Sequence, residues 1–170
     1  AKAYFETLNF DSITINPYMG KDSVEPFLEY QNKHTIILAL TSNVGAFDFQ
    51  TKNIADNSKK LYEEVIRTST SWKNSNQLMY VVGATKASYL KEIRNIVPNN
   101  FLLIPGVGAQ GGDLKEVCDN GLNNEVGLLI NSSRSIIYAS NDTNFDIDAA
   151  KNAQEIQSQM GYILSSRGLV

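Results

Sequence analysis

The chain has 170 residues, of which 42% are hydrophobic and 19% are charged, which is ordinary for one soluble globular domain. Its formal net charge of -3 argues against a nucleic-acid-binding surface, because such surfaces usually carry a basic excess. The single cysteine, Cys118, excludes an intramolecular disulfide, and no apolar run approaches the length of a membrane span. We therefore expect a cytoplasmic protein with neither nucleic-acid nor membrane partners.

The chain is expected to begin inside a helix. Tyr4 and Leu8 lie at helical spacing, and no N-cap residue precedes them. Five short apolar segments then follow and are predicted as strands, at residues 11–16, 35–41, 78–83, 101–105 and 126–130. The second segment is a continuous apolar run, as expected for a strand that is buried on both faces.

Helical patterns alternate with these strands, at residues 23–30, 53–67, 85–96, 112–120 and 147–164. Pro98 and Gly121 are expected to end the third and fourth helices, and Asp146 is the expected N-cap of the last. This alternation indicates βαβ units and a parallel sheet. We predict one α/β domain over residues 1–170, a (β/α)₈ TIM barrel of which about three units are absent.

The segment after the fourth predicted strand is the strongest candidate for ligand binding. Residues 105–112 contain four glycines, which let the backbone approach a ligand closely and turn N–H groups towards it. The start of the following helix adds partial positive charge, which favours an anion such as phosphate. The alternative is a flexible turn that needs glycine only for its geometry.

Two other strand ends carry candidate binding residues. Arg134 follows small hydroxyl residues after the fifth predicted strand and is suited to a bidentate contact with phosphate, the alternative being a surface arginine in a salt bridge. Ser42 follows the second predicted strand and is able to exchange hydrogen bonds with a ring amide, although strand-end serines are equally often turn formers. Residues 83–85, after the third predicted strand, look like the start of a helix. His34 precedes a strand, which is the wrong end for catalysis.

The same glycines permit a different interpretation. The spacing Gly106-x-Gly108-x-x-Gly111 after a strand matches the dinucleotide-binding fingerprint, and Arg134 could then contact the 2′-phosphate of NADP. Two features weigh against this Rossmann-type module. It needs another strand where residues 146–170 offer one helix and a short tail, and Pro105 is awkward where the backbone enters the pyrophosphate turn. We keep NADP binding as an alternative.

Four segments of the chain together resemble orotidine 5′-phosphate decarboxylases. Residues 104–113 (Ile-Pro-Gly-Val-Gly-Ala-Gln-Gly-Gly-Asp) resemble the seventh-strand motif of that family, and residues 129–136 (Leu-Ile-Asn-Ser-Ser-Arg-Ser-Ile) resemble the eighth-strand motif. Residues 11–27 are similar to the fourth-strand region of one bacterial branch, and residues 41–46 to the fifth-strand loop. The resemblance covers essentially the whole chain in the right order and implies the last five βα units of the barrel.

The resemblance implies a role for six residues: Ser42, Pro105, Val107, Gln110, Ser133 and Arg134. Ser42 would hydrogen-bond to the amide edge of the pyrimidine, and Gln110 would reach from a mobile loop to the phosphate. Arg134 and the backbone N–H of Ser133 would hold the phosphate, although the family often has glycine at the latter position. The two apolar residues would help to form the wall around the base.

The resemblance also implies an activity, the decarboxylation of orotidine 5′-phosphate to uridine 5′-phosphate in pyrimidine biosynthesis, by a homodimer without metal or cofactor. That chemistry needs a lysine–aspartate network that includes an Asp-x-Lys-x-x-Asp motif, with one aspartate donated across the dimer interface. The chain does not contain this motif. We therefore expect substrate binding here, no catalytic residues, no turnover by this chain alone, and a companion N-terminal segment.

Two further alternatives remain open. Another phosphate-binding barrel enzyme would keep Arg134 but has no evident need for Gln110. A non-catalytic nucleotide-binding module would bind uridine phosphate without a missing part, and the expected start inside a helix argues against it.

Overall fold

The computed structural model describes residues 1–54, 59–108 and 111–170. Within these residues five strands form one sheet: β1 (Ser12–Ile15), β2 (His34–Leu40), β3 (Leu78–Val82), β4 (Leu102–Pro105) and β5 (Leu128–Asn131). Every pair of neighbouring strands is parallel, and their order in space is their order along the chain. The predicted α/β fold with a parallel sheet is confirmed.

The strand order excludes the Rossmann-type alternative. A doubly wound sheet reverses its strand order at a switch point, so its first strand lies inside the sheet. Here β1 and β5 occupy the two edges, and the winding proceeds in one direction throughout, as it does in a barrel. The glycine-rich segment follows β4, where no reversal of strand order occurs.

The α-helices of the described residues are α1 (Lys21–Leu28), α2 (Leu61–Thr70), α3 (Leu90–Ile96), α4 (Leu114–Gly121), α5 (Arg134–Ile137) and α6 (Phe145–Ser166). A π-helical turn, Ala3–Thr7, lies where the end of a helix was expected. The third predicted helix is divided, because a 3₁₀ segment, Ala84–Tyr89, precedes α3 and is kinked at Lys86. None of the helices described is long and apolar enough to cross a membrane.

The boundaries of four predicted helices were wrong, and the first of these, α1, begins and ends two residues earlier than the predicted range 23–30. Asn53 was expected inside a helix but forms an antiparallel bridge with Lys60, and α2 begins only at Leu61; residues 55–58 of that prediction lie outside the described residues. The helix predicted from residue 112 begins two residues later, because the Asp113 side chain accepts a hydrogen bond from the Glu116 N–H at 2.7 Å and so caps the helix at that point.

The last helix also begins earlier than predicted. It starts at Phe145, so Asp146 lies in its first turn and is not its N-cap. The short helix α5 was not predicted at all. By contrast, α4 ends at Gly121 as expected. The packing there is tight, since a Cβ at this position would lie 3.1 Å from a methyl carbon of Leu128 and 3.2 Å from one of Leu90.

The main hydrophobic core lies between one face of the sheet and the helices. On the helices its buried members are Val24, Leu28, Tyr62, Ile66, Leu90, Ile93, Leu114, Val117 and Cys118. A second, smaller cluster contains Ile36, Met79 and Val81, which alternate along β2 and β3 with residues of the main core. This second face corresponds to the interior of a barrel.

An irregularity in β2 lies close to the candidate site. Leu38 pairs with Val81 and Leu40 with Val82, so Ala39 is an extra residue in the strand. Such a bulge redirects the chain that follows it and is common at barrel rims. Ser42 follows two residues after the end of this strand.

Candidate functional site

The candidate site lies at the carboxyl edge of the sheet. Because all five strands are parallel, the loops that follow β2, β3, β4 and β5 emerge along this same edge. Five of the six candidate residues belong to a loop or strand end on this edge, and the sixth, Gln110, lies outside the described residues. The positions of the other five are described below.

The segment after β4 is a tight backbone turn. Pro105 is the last residue of β4 and is partly buried, whereas Val107 is only 4% exposed. Gly106, Gly108 and Gly111 have φ angles of 93°, 80° and 81°, which side chains other than glycine rarely adopt. The Gly108 N–H donates to the carbonyl of Gly112 at 3.1 Å, and the Gly111 N–H donates to the carbonyl of Gly108 at 2.8 Å. Glycine is therefore required for this turn.

The loop after β5 places a guanidinium at the surface. Arg134 is exposed and opens α5, and it forms no ion pair with another described residue. This observation counts against the alternative of a structural surface salt bridge. Ser133 is exposed as well, and its hydroxyl donates to the Asn131 side-chain oxygen at 3.1 Å. An unpaired arginine of this kind is available to an anionic ligand.

The loops after β4 and β5 are joined by hydrogen bonds. The Ser132 hydroxyl donates to the carbonyl of Val107 at 3.0 Å, and the Gly106 N–H donates to the carbonyl of Asn131 at 3.2 Å. The hydroxyl groups of Ser132 and Ser135 also share a short hydrogen bond. This bridging role of Ser132 was not anticipated from the sequence, which pointed only to small hydroxyl residues beside an arginine. The glycine-rich turn and the arginine loop thus form one unit.

Ser42 provides a different kind of group. Its hydroxyl oxygen is buried and has no hydrogen-bond partner among the described residues. A buried hydroxyl without a partner costs about 1–3 kcal/mol, so such groups usually await a ligand or water. This finding favours a binding role for Ser42 over that of a simple turn former.

A glutamine that was not singled out from the sequence fixes the end of β2. The Thr41 N–H donates to Oε1 of Gln50 at 2.7 Å, and Nε2 of Gln50 donates to the Thr41 hydroxyl at 2.9 Å. Both bonds hold the residue that directly precedes Ser42. No local sequence pattern predicts this contact, because it depends on how the loop after β2 folds back against the end of the strand.

The segment after β3 lies between the loop that follows β2 and the loop that follows β4. A Cβ at Gly83 would lie 2.0 Å from the hydroxyl oxygen of Ser42, and a Cβ at Gly112 would lie 2.3 Å from the Cβ of Ala84. Gly83 and Ala84 therefore pack against the loop after β2 and the loop after β4, respectively. The loops are in contact in series from Ser42 to Arg134.

Other reactive side chains lie elsewhere. His34 is exposed at the first residue of β2, at the opposite edge of the sheet. Cys118 is buried in α4 with its sulfur 3.6 Å from that of Met160, and burial raises the pKa of its thiol. The described residues contain no cluster of three or more histidine, cysteine or acidic side chains able to hold a metal.

A separate cavity of about 480 Å³ lies between the ends of β1 and β2 and helix α2. Its polar lining consists of neutral side chains such as those of Asn16, Thr41 and Gln50, and no lysine or arginine is among the described residues that line it. It therefore offers no charge for a phosphate, and the candidate phosphate site remains at the glycine-rich turn and Arg134.

The family of this chain follows from its sequence as a whole. Residues 1–145 match the sequence model of the Orotidine 5′-phosphate decarboxylase / HUMPS family. The chain belongs to this family. The resemblance inferred from the strand-end motifs is thereby confirmed. The comparison extends from the first residue to the beginning of α6, and so includes every strand of the sheet.

Curated members of the family include close relatives of this chain. The orotidine 5′-phosphate decarboxylase of Christiangramia forsetii is 68% identical over 94% of this chain and 58% of its own length. That of Flavobacterium johnsoniae is 62% identical over 98% of this chain and 60% of its own length. The chain thus spans about three fifths of the length of these relatives.

Solved structures of related proteins share the fold. The chain superposes on the UMP synthase of Leishmania donovani with a TM-score of 0.78 and 37% identity, over 93% of this chain and 35% of that one. It superposes on the OMP decarboxylase of the same organism with a TM-score of 0.76 and 34% identity, over 93% of this chain and 60% of that one. The prediction of a partial TIM barrel is confirmed by these neighbours.

Proposed function

We propose that this chain forms the base- and phosphate-binding part of an enzyme that decarboxylates orotidine 5′-phosphate to uridine 5′-phosphate in pyrimidine biosynthesis. The observation that carries the proposal is the joined unit at the carboxyl edge of the sheet. The loop that carries the unpaired Arg134 is hydrogen-bonded to the glycine turn through Ser132 and Asn131, and the buried, unpartnered hydroxyl of Ser42 lies on the same edge.

The proposed binding mode assigns separate parts of the ligand to separate loops. Arg134 and the backbone N–H of Ser133 hold the phosphate, with Gln110 reaching towards it from the glycine-rich loop. Ser42 exchanges hydrogen bonds with the amide edge of the pyrimidine, which relieves its buried hydroxyl. Pro105 and Val107 border the base. Phosphate contacts remote from the reacting carbon then supply binding energy that assembles the site around it.

We further propose that the groups that perform the chemistry come from outside this chain. The family motif Asp-x-Lys-x-x-Asp is missing from the sequence. Lys115 and Asp119 do form an ion pair at 2.6 Å, but they lie one turn apart on an exposed face of α4 and are not part of such a motif. A companion N-terminal segment would supply the lysine–aspartate network, as the length of the relatives suggests.

A homodimer is the assembly that we propose for the complete enzyme. Large apolar side chains are exposed in the segments that follow β1 and β2: Tyr18, Met19, Val44, Phe47 and Phe49. Tyr18 is 87% exposed and Phe49 is 70% exposed, and contiguous exposed apolar groups mark association surfaces. Their position beside the candidate site fits an interface through which one subunit contributes an aspartate to its partner.

The binding proposal is tested by the variant Arg134→Ala. Loss of a charge-assisted contact with phosphate, worth about 1.5–3 kcal/mol, should weaken the affinity of the full-length protein for uridine 5′-phosphate by roughly tenfold to a hundredfold. Isothermal titration calorimetry measures this change. The matched control is Arg67→Ala, because Arg67 is an equally exposed arginine in the last turn of α2, at the other edge of the sheet.

The control variant should bind uridine 5′-phosphate as tightly as the unmodified protein. Unchanged affinity of Arg134→Ala, or an equal loss in both variants, would refute the role assigned to Arg134. Absence of any binding by the unmodified full-length protein would refute the proposed function as a whole.

A further inference from the structure

Gly83 lies against the buried hydroxyl of the base-binding serine. It directly follows β3, is itself buried, and its N–H donates to the carbonyl of Leu40 at 2.8 Å, so it continues the contact between β3 and the end of β2. A Cβ at Gly83 would lie 2.0 Å from the hydroxyl oxygen of Ser42, 2.7 Å from its backbone nitrogen and 2.9 Å from its Cβ. All three distances are shorter than van der Waals contact.

Backbone conformation does not explain the glycine. Gly83 has φ -62° and ψ 139°, an extended conformation that any residue adopts. An alanine there would meet no torsional strain, and would also lose less entropy on folding than glycine does. The requirement is therefore one of space, and the space is the volume that Ser42 occupies.

We propose that Gly83 is a positioning residue for Ser42, and that its missing side chain sets where the serine hydroxyl meets the base. The inference rests on the proposed function, because it assumes that Ser42 contacts the pyrimidine. Two other features fix the residues that precede Ser42. Gln50 is hydrogen-bonded to Thr41, and the extra residue Ala39 redirects the end of β2. Gly83 adds the contact with the side chain of Ser42 itself.

This arrangement predicts an effect on one end of the ligand only. A side chain at Gly83 displaces Ser42 and its hydroxyl, which spoils the hydrogen bond to the base. Arg134 and the hydrogen bond between Ser132 and Val107 belong to other loops, so the phosphate contacts remain. Gly83 therefore governs the discrimination between a nucleotide and a sugar phosphate that lacks the base.

The test is a comparison of two ligands with the full-length protein. Gly83→Ala should weaken the affinity for uridine 5′-phosphate by about tenfold, which corresponds to the loss of one hydrogen bond. Its affinity for ribose 5-phosphate, which has no base, should change by less than about twofold. Calorimetric titration gives both values. Gly161→Ala is the matched control, because a Cβ at Gly161 meets no atom within 4 Å, and it should alter neither affinity.

A double-mutant cycle separates positioning from general damage. Ser42→Gly removes the hydroxyl and with it two of the three close contacts, leaving only the backbone nitrogen at 2.7 Å. If Gly83 acts through the serine hydroxyl, Gly83→Ala should weaken uridine 5′-phosphate binding much less in the Ser42→Gly background than in the unmodified protein, and the remaining loss reflects the contact with the backbone nitrogen. If Gly83→Ala alone fails to fold, recovery of folding by adding Ser42→Gly supports the inference, and failure of both variants to fold contradicts the role of the serine side chain.

Two results would overturn the inference. One is an equal loss of both ligands in Gly83→Ala, which indicates a general disturbance of the site. The other is an additive loss of nucleotide affinity in the double variant. A protein whose affinity for uridine 5′-phosphate is insensitive to Arg134→Ala contradicts the proposed function instead, so the two failures are distinguishable.

Discussion

Arg94 connects backbone carbonyls from three parts of the chain. From α3 its guanidinium donates to the carbonyls of Gly121 at 2.6 Å, Asn100 at 2.6 Å, Gly127 at 2.6 Å and Val97 at 3.2 Å. Burial lowers the pKa of Arg94 to about 10, which still leaves it charged near neutral pH. One side chain thus fixes the end of α4 and the segments that lead into β4 and β5.

We expect Arg94→Leu to be among the most destabilising single changes in the chain. It leaves several partly buried carbonyls without a donor, which should lower the free energy of unfolding by about 3 kcal/mol or more. Arg94→Lys should recover little, because an ammonium donates from one point and cannot reach four diverging carbonyls. Urea unfolding measures both variants.

Arg67→Leu is the appropriate comparison for this prediction. Arg67 is exposed on α2, so its replacement should change the free energy of unfolding by no more than about 0.5 kcal/mol. An unchanged urea midpoint in Arg94→Lys would contradict this explanation. It would mean that the positive charge alone, and not the several N–H donors of the guanidinium, stabilises the fold.

At the scale of residues, the sequence predicted those parts of the candidate site that depend on chain position. Ser42 and Arg134 were singled out because polar residues after apolar strands of a parallel sheet share one edge, and their binding roles remain predictions. Gln50 and Gly83 were not singled out, because their importance comes from contacts made across the fold. Gln110 was assigned by family resemblance alone and remains a prediction.

At the scale of elements, strands were easier to predict than helices. All five strands lie within two residues of the apolar runs that predicted them. The pattern is clearest in β3, which is buried along its whole length, because burial on both faces imposes a continuous apolar run. Helix α2 starts eight residues later than expected, because Asn53 and Lys60 pair with each other. Helix α5 has only four residues, fewer than helical periodicity needs to become visible.

The close packing of the glycine turn after β4 predicts how a side chain at Gly112 affects stability. Gly112→Ala should displace the turn, because the new Cβ would lie 2.3 Å from the Cβ of Ala84 and 2.9 Å from the carbonyl oxygen of Gly106. We expect a loss of about 1–3 kcal/mol in the free energy of unfolding, measured with urea. Combining it with Ala84→Gly removes the closer contact and should restore part of that loss.

Gly161→Ala makes the same chemical change in open space. Gly161 lies inside α6, where alanine is a better helix former, so this variant should be stabilised by about 0.5–1 kcal/mol. If both glycine variants lost stability equally, close packing of the turn against Ala84 would not be the cause.

At the scale of the molecule, the sheet is incompletely enclosed within the described residues. Leu38, Val81, Leu103 and Leu129 are linked in register across four strands on the face that corresponds to a barrel interior. Val81 in the middle is 4% exposed, but Leu129 on the edge strand is 47% exposed. Strands β1 and β5 also present unpaired edges, which promote aggregation unless they are covered.

The βα winding could be predicted from the sequence because alternating strands and helices allow few topologies. The segment that covers the two edges could not be predicted from the sequence, because edge pairing is a long-range property that local patterns do not encode. The chain spans about three fifths of the length of its curated relatives, and the rest of their length indicates which segment to test as a partner. A segment that carries the other strands of the barrel would cover both edges and the exposed end of the Leu38–Leu129 row.

We therefore expect this 170-residue chain to be inactive alone and active with such a segment. The segment can be taken from the Flavobacterium johnsoniae decarboxylase, which is 62% identical to this chain over the shared part, as the portion that the chain does not match. Co-expression should give a soluble complex that decarboxylates orotidine 5′-phosphate, whereas each part alone should not. Denaturing intact mass of the purified sample checks that both polypeptides are present.

Arg134→Ala in the complex serves as the control, because it should lower turnover at limiting substrate without separating the two polypeptides. Decarboxylation by the isolated chain would contradict the proposal that its chemistry comes from elsewhere, since the chain would then contain a proton donor other than the family's lysine. A stable complex without activity would instead separate the two claims. Covering the sheet edges requires only matching strands, whereas turnover also requires the lysine–aspartate network to meet the binding site that we propose around Ser42 and Arg134.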